Sequence, residues 1–527
     1  MCPEVKFPMS NAVRKAYTQG EEDETLLPLV LVNLKHEPQG RIHSGDSVIF
    51  YNIRGEREIE LTRSFTEQTF REFPVDKNLT VNFATMIEYQ KGLNVEVAFE
   101  PLGVLYDTLS DIIAAQGLTQ AKITEAEKAV HVSFFFNGKK SDPLPGEEKI
   151  IIPTRKDVRL FDEAPEMSIG EITNAALTKI KDPSCNFTVV NFPNVDVVGH
   201  IENEPAVLRA IQAVDHHAGL LIAEALQQEI AVLVTADHGT VEKWLYPDGG
   251  VDTGHTDSPV PFLLLHPDKT LTLKPQGALT DIAPTVLDIL GLPTPASMTG
   301  ASLIEQSRNS FAPVKRVLLM ILDGWGHSES ENGNLIARAQ TPVMDRLIKT
   351  YPLSKLAASG VAVGLPPQTV GNSEAGHLHI GAGRKIYSDR LNIDQAIANQ
   401  DFYQNQAFIN VMRQAKQNGT ALHLMGIVSF FSSHGSIEHL FALMDMARQQ
   451  GISRLFIHGM LGRRGEQAQS GALYIKQVEE KCQSLQLGQV VSVIGRYWSM
   501  DREENWDRIE KTYRMLVDGD GNKISAG

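Results

Sequence analysis

The chain has 527 residues, too many for one ordinary hydrophobic core, and this length predicts two or three domains. Hydrophobic residues make up 42 % and charged residues 21 %, a normal globular balance that excludes a disordered or fibrous chain. The formal net charge of −15 excludes general affinity for nucleic acid or anionic lipid, which needs a basic surface; it leaves room for a local basic pocket that takes a small anion.

Short apolar runs alternate with amphipathic stretches along the chain. The runs SVIFYNI (47–53), HVSFFFN (131–137), FTVVNF (187–192), AVLVTA (231–236), VPFLLL (260–265), VLLMIL (317–322), ALHLMGIV (421–428), RLFIHGM (454–460) and VVSVIG (490–495) read as strands. Between them, residues 206–228 and 437–451 carry helical periodicity. Such alternation predicts an α/β protein with largely parallel sheets. Residues 305–316, EQSRNSFAPVKR, are polar and contain a proline, and read as a linker. Cys2, Cys185 and Cys482 are odd in number and widely spaced, so no disulfide framework is expected. The opening MCPEVKFPMSNAVRK has no apolar signal segment, and no run approaches the ~18 apolar residues of a membrane span. These features predict a cytoplasmic protein.

In open α/β sheets, chemistry gathers at the carboxyl ends of the strands. Asp323 follows VLLMIL, and Asp237 and His238 follow AVLVTA. FTVVNF leads through PNV to Asp196 and, four residues on, His200. With Asn194 as the N-cap of a helix, Asp196 and His200 share one helix face. His255 lies in DTGHTDSPVPF, and Ser373 in TVGNSEAGHLH. Taken singly, an aspartate after a strand ordinarily caps a turn or a helix. The joint set of three aspartates, three histidines and a serine points to metal chemistry, and its mixed ligands suit Mn²⁺ or Zn²⁺ better than Ca²⁺. The glycines of GHLHIGAGR lack the βαβ setting of a dinucleotide fingerprint. His377 and His379 are expected to be structural, and His216 and His217 to be solvated or packed.

The segments LDGWG, ASGVAVGLPPQTVGNSEAGHLHIGAGR, GRYWSMDR, NIRGER, EKAVHVSFFFNG, PNVDVVGH and TADHG together resemble the cofactor-independent (2,3-bisphosphoglycerate-independent) phosphoglycerate mutases of the alkaline phosphatase superfamily. Their order is rotated: here TADHG precedes LDGWG, as in a circular permutation. The resemblance implies an α/β chain of two domains. One is a phosphatase-like metal domain at 104–388, with 305–316 joining the family's usual termini. The other is a smaller transferase-like domain split between 1–103 and 389–527.

The resemblance further implies two divalent ions, Mn²⁺ with Mg²⁺ or Co²⁺ as alternatives. Asp323, Ser373, Asp237 and His238 would hold one, and Asp196, His200 and His255 the other. Ser373 would take the phosphoryl group of 3-phosphoglycerate and return it to the 2-hydroxyl, making the chain an isomerase of glycolysis. Metal coordination is a recognised way to activate a serine hydroxyl. Lys128, Arg54, Arg57, Arg464, Arg496, Arg502 and His434 would bind the phosphate and carboxylate of the substrate, with Lys128, Arg464 and His434 also catalytic. A small-molecule substrate and a monomer are implied, with no nucleic-acid or membrane partner.

Three positions depart from the family. The aspartate that follows the family counterpart of Arg464 is Gly465, a second histidine near His434 is Ser436, and a phenylalanine is Thr25. These departures keep two alternatives open. One is a metal-dependent phosphohydrolase on the same site, and the other a weakly active protein that binds phospho-ligands.

Overall fold

The computed structural model describes residues 6–525 except 102, 247, 431, 433 and 463–468. The chain forms two compact units, one of Gly103–Ser388 and one of Met1–Leu102 together with Asp389–Gly527. Each is built on an eight-stranded, mostly parallel sheet, in keeping with the α/β expectation.

In the first unit the strand order from edge to edge is Gln276–Ala278, Leu353–Ala357, Val260–Leu265, Ala231–Thr235, Val317–Leu322, Phe187–Phe192, Gln120–Glu125 and Glu147–Ile152. Only Val260–Leu265 runs against its neighbours. Val317–Leu322 lies between Ala231–Thr235 and Phe187–Phe192, parallel to both. All three are buried along their full length, which is why they read as unbroken apolar runs rather than alternating ones. The helices Ile169–Lys181 and Glu204–Gln227 contribute apolar faces to the same core.

The run at 131–137 is not a strand. His131–Phe135 forms one wide helical turn, closed by Phe136 N–H donating to the His131 carbonyl at 3.0 Å. Val132 and Phe136, four apart, are fully buried, whereas alternation would also bury Phe134. A short aromatic run carries no periodicity strong enough to separate the two states.

In the second unit the order is Asn522–Ser525, Leu29–Val32, Gln489–Gly495, Leu455–Leu461, Leu422–Ile427, Ser47–Phe50, Asn82–Ile87 and Glu96–Phe99. Leu29–Val32 pairs antiparallel with Gln489–Gly495 and parallel with Asn522–Ser525. At the centre, Ser47–Phe50 lies parallel to Leu422–Ile427, so neither sequence segment can complete the sheet without the other.

Two helices lock the segments together reciprocally. Glu479, on Gly471–Leu485, accepts the first-turn N–H groups of Met9 and Ser10 in helix Pro8–Thr18 at 2.9 and 3.1 Å. Asp23 and Tyr17 in turn accept the N–H groups of Gly471 and Ala472 at 3.1 and 3.0 Å. These donors have no partner within their own helices, so each cap satisfies groups that burial would otherwise strand. No described helix is long and apolar enough to cross a membrane.

Two glycines offer a paired test of packing. A methyl group on Gly381 would fall inside the Phe136 carbonyl, while one on Gly170 would meet nothing. Gly381→Ala is expected to destabilise the protein by about 1–3 kcal/mol through overpacking. Gly170→Ala, within helix Ile169–Lys181, should be neutral or stabilising by up to ~1 kcal/mol. Thermal melts of the two variants check both signs.

Candidate metal centre

The first unit's central strands deliver their acidic residues to one place. Asp323 follows Val317–Leu322, and Asp237 with His238 follows Ala231–Thr235 by one residue. Phe187–Phe192 continues into helix Asn194–Gly199, which carries Asp196. Backbone bonds fix the alignment: Asp323 N–H donates to the Phe192 carbonyl and Asp196 N–H to the Asp323 carbonyl, each at 3.1 Å. Gly324 adopts φ +81°, and a Cβ there would strike the Asp196 backbone, so only glycine fits this turn.

Asn194 is the first residue of its helix rather than the cap. Its amide donates to the carbonyls of Pro165 and Glu166, both at 2.9 Å, and so ties the helix to the preceding loop. Asp196 and His200 do share a face, with Oδ1 and Nε2 3.3 Å apart.

Ser373 opens helix Ser373–Ala382, which Asn372 caps by accepting the Ala375 N–H at 2.8 Å. The serine Oγ lies 2.5 Å from Lys128 Nζ, 3.0 Å from His238 Nε2 and 3.4 Å from Asp323 Oδ1. Lys128 also reaches Asp196 Oδ2 at 2.7 Å and Asp323 Oδ1 at 2.8 Å. Ser373, Lys128, Asp196, Asp237, His238 and Asp323 are all buried, while His255 is partly buried and His200 half exposed.

The imidazoles are oriented by bonds at their far nitrogens. Nδ1 of His200 faces the Thr253 carbonyl at 2.7 Å, Nδ1 of His255 the Gly371 carbonyl at 2.9 Å, and Nδ1 of His238 the Gly239 carbonyl at 3.2 Å. A carbonyl only accepts, so each Nδ1 carries the proton and each Nε2 presents a lone pair. Nε2 of His255 lies 3.2 Å from Nε2 of His200 and 3.1 Å from Asp196 Oδ1. Lone pairs converging in this way call for positive charge between them, from a bound metal ion or a proton on Nε2.

Asp237 Oδ2 is a buried oxygen without a hydrogen bond, 3.2 Å from His377 Nδ1. That nitrogen is directed at the Ser373 carbonyl at 2.9 Å. The donor groups Asp196–His238–His255 and Asp237–Asp323–His377 are each compact enough to hold a metal ion. The orphaned oxygen and the oriented imidazoles fit divalent cations.

Charge follows the same geometry. Burial alone would push the Lys128 ammonium down, but Asp323, Asp196 and Asp237 together outweigh it and hold the group above its ordinary value. Burial would raise Asp196, yet the Lys128 ammonium keeps it well below the usual carboxylate range. Asp323 moves the other way, raised by burial and then by the facing Asp237.

Two contributors are not evident in the sequence. Asn191 Nδ2 donates to Asp323 Oδ2 at 2.8 Å and lies 3.1 Å from His377 Nε2. The polar residue interrupting the apolar run FTVVNF is the one signal for it. His377, expected to be structural, stands beside the carboxylates, and its spacing of four from Ser373 places it one helical turn away.

The second unit gathers most of the expected substrate-binding cations on loops that follow the carboxyl ends of its strands. Arg54 and Arg502 both contact Glu56 Oε1, at 3.2 and 3.1 Å. Arg57 donates to the Met500 carbonyl at 3.0 Å, and buried Arg496 lies 3.8 Å from Glu24. His434 is buried with Nδ1 3.0 Å from Glu58 Oε1. Arg464 and Gly465 lie outside the described residues. Ser436 accepts the Glu438 N–H and caps helix Ile437–Gln449, a backbone role open to a serine.

A parallel sheet with acidic and histidine residues at its strand ends is an arrangement suited to holding metal ions. The family model described as the metalloenzyme superfamily matches residues 37–294. A second, the BPG-independent PGAM N-terminus, matches residues 393–526. Curated proteins called 2,3-bisphosphoglycerate-independent phosphoglycerate mutase are similar in sequence. The one from Moorella thermoacetica is 39 % identical over 296 residues, covering 56 % of this chain and 57 % of the relative. That of Clostridium perfringens (strain SM101) is 40 % identical over 298 residues, again 56 % and 57 %. The chain is similar to these 2,3-bisphosphoglycerate-independent phosphoglycerate mutases over 56 % of its length, and it spans a little over half the length of the curated relatives it matches. A solved phosphoglycerate mutase of Leishmania mexicana is 28 % identical over 52 % of this chain and 53 % of that one, with a TM-score of 0.37.

Lys128→Met leaves buried carboxylates without their ammonium. In EDTA this variant is expected to lose about 3–5 kcal/mol of stability, and less with saturating Mn²⁺, because the bound cation compensates the same charge. Thermal melts with and without metal measure the difference.

Proposed function

We propose that the chain interconverts 3-phosphoglycerate and 2-phosphoglycerate through a phosphoserine at Ser373, on a centre of two divalent ions, Mn²⁺ or alternatively Mg²⁺ or Co²⁺. Asp323, Ser373, Asp237 and His238 would hold one ion, and Asp196, His200 and His255 the other. The observation that carries the reading is the Ser373 hydroxyl, buried at a helix start within 3.4 Å of Lys128, His238 and Asp323. A mere binding protein has no use for a serine so placed.

Bound divalent ions would supply Lewis-acid polarisation of the phosphoryl oxygens and lower the pKa of a coordinated hydroxyl. The chain's own groups do the rest. Lys128 donates to Ser373 Oγ and stabilises negative charge developing there. The first-turn N–H groups of helix Ser373–Ala382 favour an anion at its start. Burial of Ser373 keeps water from competing for the phosphoryl group. In the second unit, Arg54, Arg57, Arg464, Arg496, Arg502 and His434 would serve the carboxylate and phosphate of the substrate, for which arginine's planar fork is suited.

The match of a model named for an N-terminus to residues 393–526, after the metalloenzyme match at 37–294, supports a rotated chain order. On this reading 104–388 is the phosphatase-like domain, with 305–316 as the join, and 1–103 with 389–527 is the transferase-like domain. A cytoplasmic monomer is the matching expectation.

Incubation with 3-phosphoglycerate and Mn²⁺, with 2-phosphoglycerate and free phosphate measured in parallel, tests the reading. Isomer without phosphate is expected. Phosphate without isomer would make the chain a phosphohydrolase, the alternative that Gly465 favours because glycine has no side chain to hold a hydroxyl. Ser373→Ala is expected to abolish the transfer and the acid-stable phosphoenzyme while still binding Mn²⁺.

A further inference from the structure

A buried carboxylate–imidazole pair stands in the second unit beside the arginines. Glu58 is fully buried: Asn52 Nδ2 donates to Oε1 at 2.7 Å, the Arg57 N–H donates to Oε2 at 3.0 Å, and His434 Nδ1 lies 3.0 Å from Oε1. Two fixed N–H donors, one on each oxygen, match an ionised carboxylate. An ionised carboxylate only accepts, so His434 Nδ1 carries its proton and Nε2 presents the lone pair.

The pair is held rigidly. Asn52 Oδ1 accepts the Ile427 N–H at 2.8 Å, Ile53 N–H donates to the His434 carbonyl at 2.8 Å, and His434 N–H donates to Ser432 Oγ at 3.1 Å. These bonds clamp two loops that follow adjacent parallel strands, Ser47–Phe50 and Leu422–Ile427. Arg54 and Arg57 lie in the first of these loops, and Arg57 immediately precedes Glu58.

We propose that His434 is the proton-transfer group for the hydroxyl of a bound hydroxy acid, with Glu58 as its positioning residue. This rests on the mutase reading. In the forward step the hydroxyl O–H bond breaks and an N–H bond forms at His434 Nε2. The electron pair left on oxygen makes the new O–P bond with the phosphoryl group as its bond to Ser373 Oγ breaks, that bond's electron pair staying on Oγ. In reverse, Nε2 returns the proton to the oxygen whose O–P bond breaks. Glu58 stabilises the transient imidazolium and fixes which nitrogen reacts. The same role of an acid that holds the base's far nitrogen is a recurrent catalytic device.

The test combines NMR with kinetics. In the wild type loaded with diamagnetic Mg²⁺, imidazole ¹⁵N spectra are expected to show His434 as the Nδ1–H tautomer when neutral, and Glu58→Gln to weaken that preference. Isomerase kcat should fall about 10²–10⁴-fold in His434→Asn, and comparably in Glu58→Gln. The double variant should be no slower than His434→Asn alone, because the two act as one unit. Additive losses, or an Nε2–H tautomer in the wild type, would overturn the proposal. Should Glu58→Gln fold poorly, Glu58→Asp, which keeps the charge, must recover part of kcat without changing the tautomer, and its failure to do so also overturns the proposal. Absence of 2-phosphoglycerate from the wild type defeats the mutase reading instead, while the tautomer still decides the pair.

Discussion

Three buried carboxylates share one small volume at the strand ends of the first unit, and that unit's local design follows from this constraint. Asp196, Asp237 and Asp323 cannot all remain ionised in a low-dielectric setting without positive charge among them. Lys128 supplies one such charge, bridging Asp196 and Asp323 and touching the serine. The histidines are turned so that their lone pairs face the same volume, which suits further cations. The unpartnered oxygen of Asp237 belongs to the same pattern. A polar atom left unsatisfied in a folded interior is costly, and such costs persist where chemistry needs them.

The two units solve different problems on similar sheets. In the first, Asp237, His238 and Asp323 sit on short, buried turns directly after strands, and backbone bonds align Asp323 with Asp196. In the second, Arg54, Arg57 and Arg502 occupy loops, with Arg54 and Arg502 exposed and meeting at Glu56, while buried Arg496 opens a short helix directly after its strand. Rigid placement suits covalent attack, whereas long arginines on loops suit the recognition of a small anion. The pair of His434 and Glu58 is the exception, a buried and fully braced group within the more open set.

Positions that depart from the family pattern gain local roles from the fold. Ser436 becomes a helix cap, and the Thr25 carbonyl accepts the Trp498 indole N–H at 2.9 Å. Glu58 meets a histidine that lies 376 residues away in the chain.

The α/β class, the central strands and the long helices were legible in the sequence because buried parallel strands are unbroken apolar runs and helices keep a period of 3.6 residues. The strand-end positions of Asp323, Asp237 and His238 were legible for the same reason, and the four-residue step from Asp196 to His200 placed both on one face. Tertiary structure alone decided that 131–137 is helical and that Asn194 braces a loop instead of capping its helix. It also brought Asn191, Lys128 and His377 to the carboxylates, and Glu58 to His434. Periodicity reports which way a side chain faces within its own element; which charges end up within hydrogen-bonding reach depends on how strands far apart in the chain lie side by side.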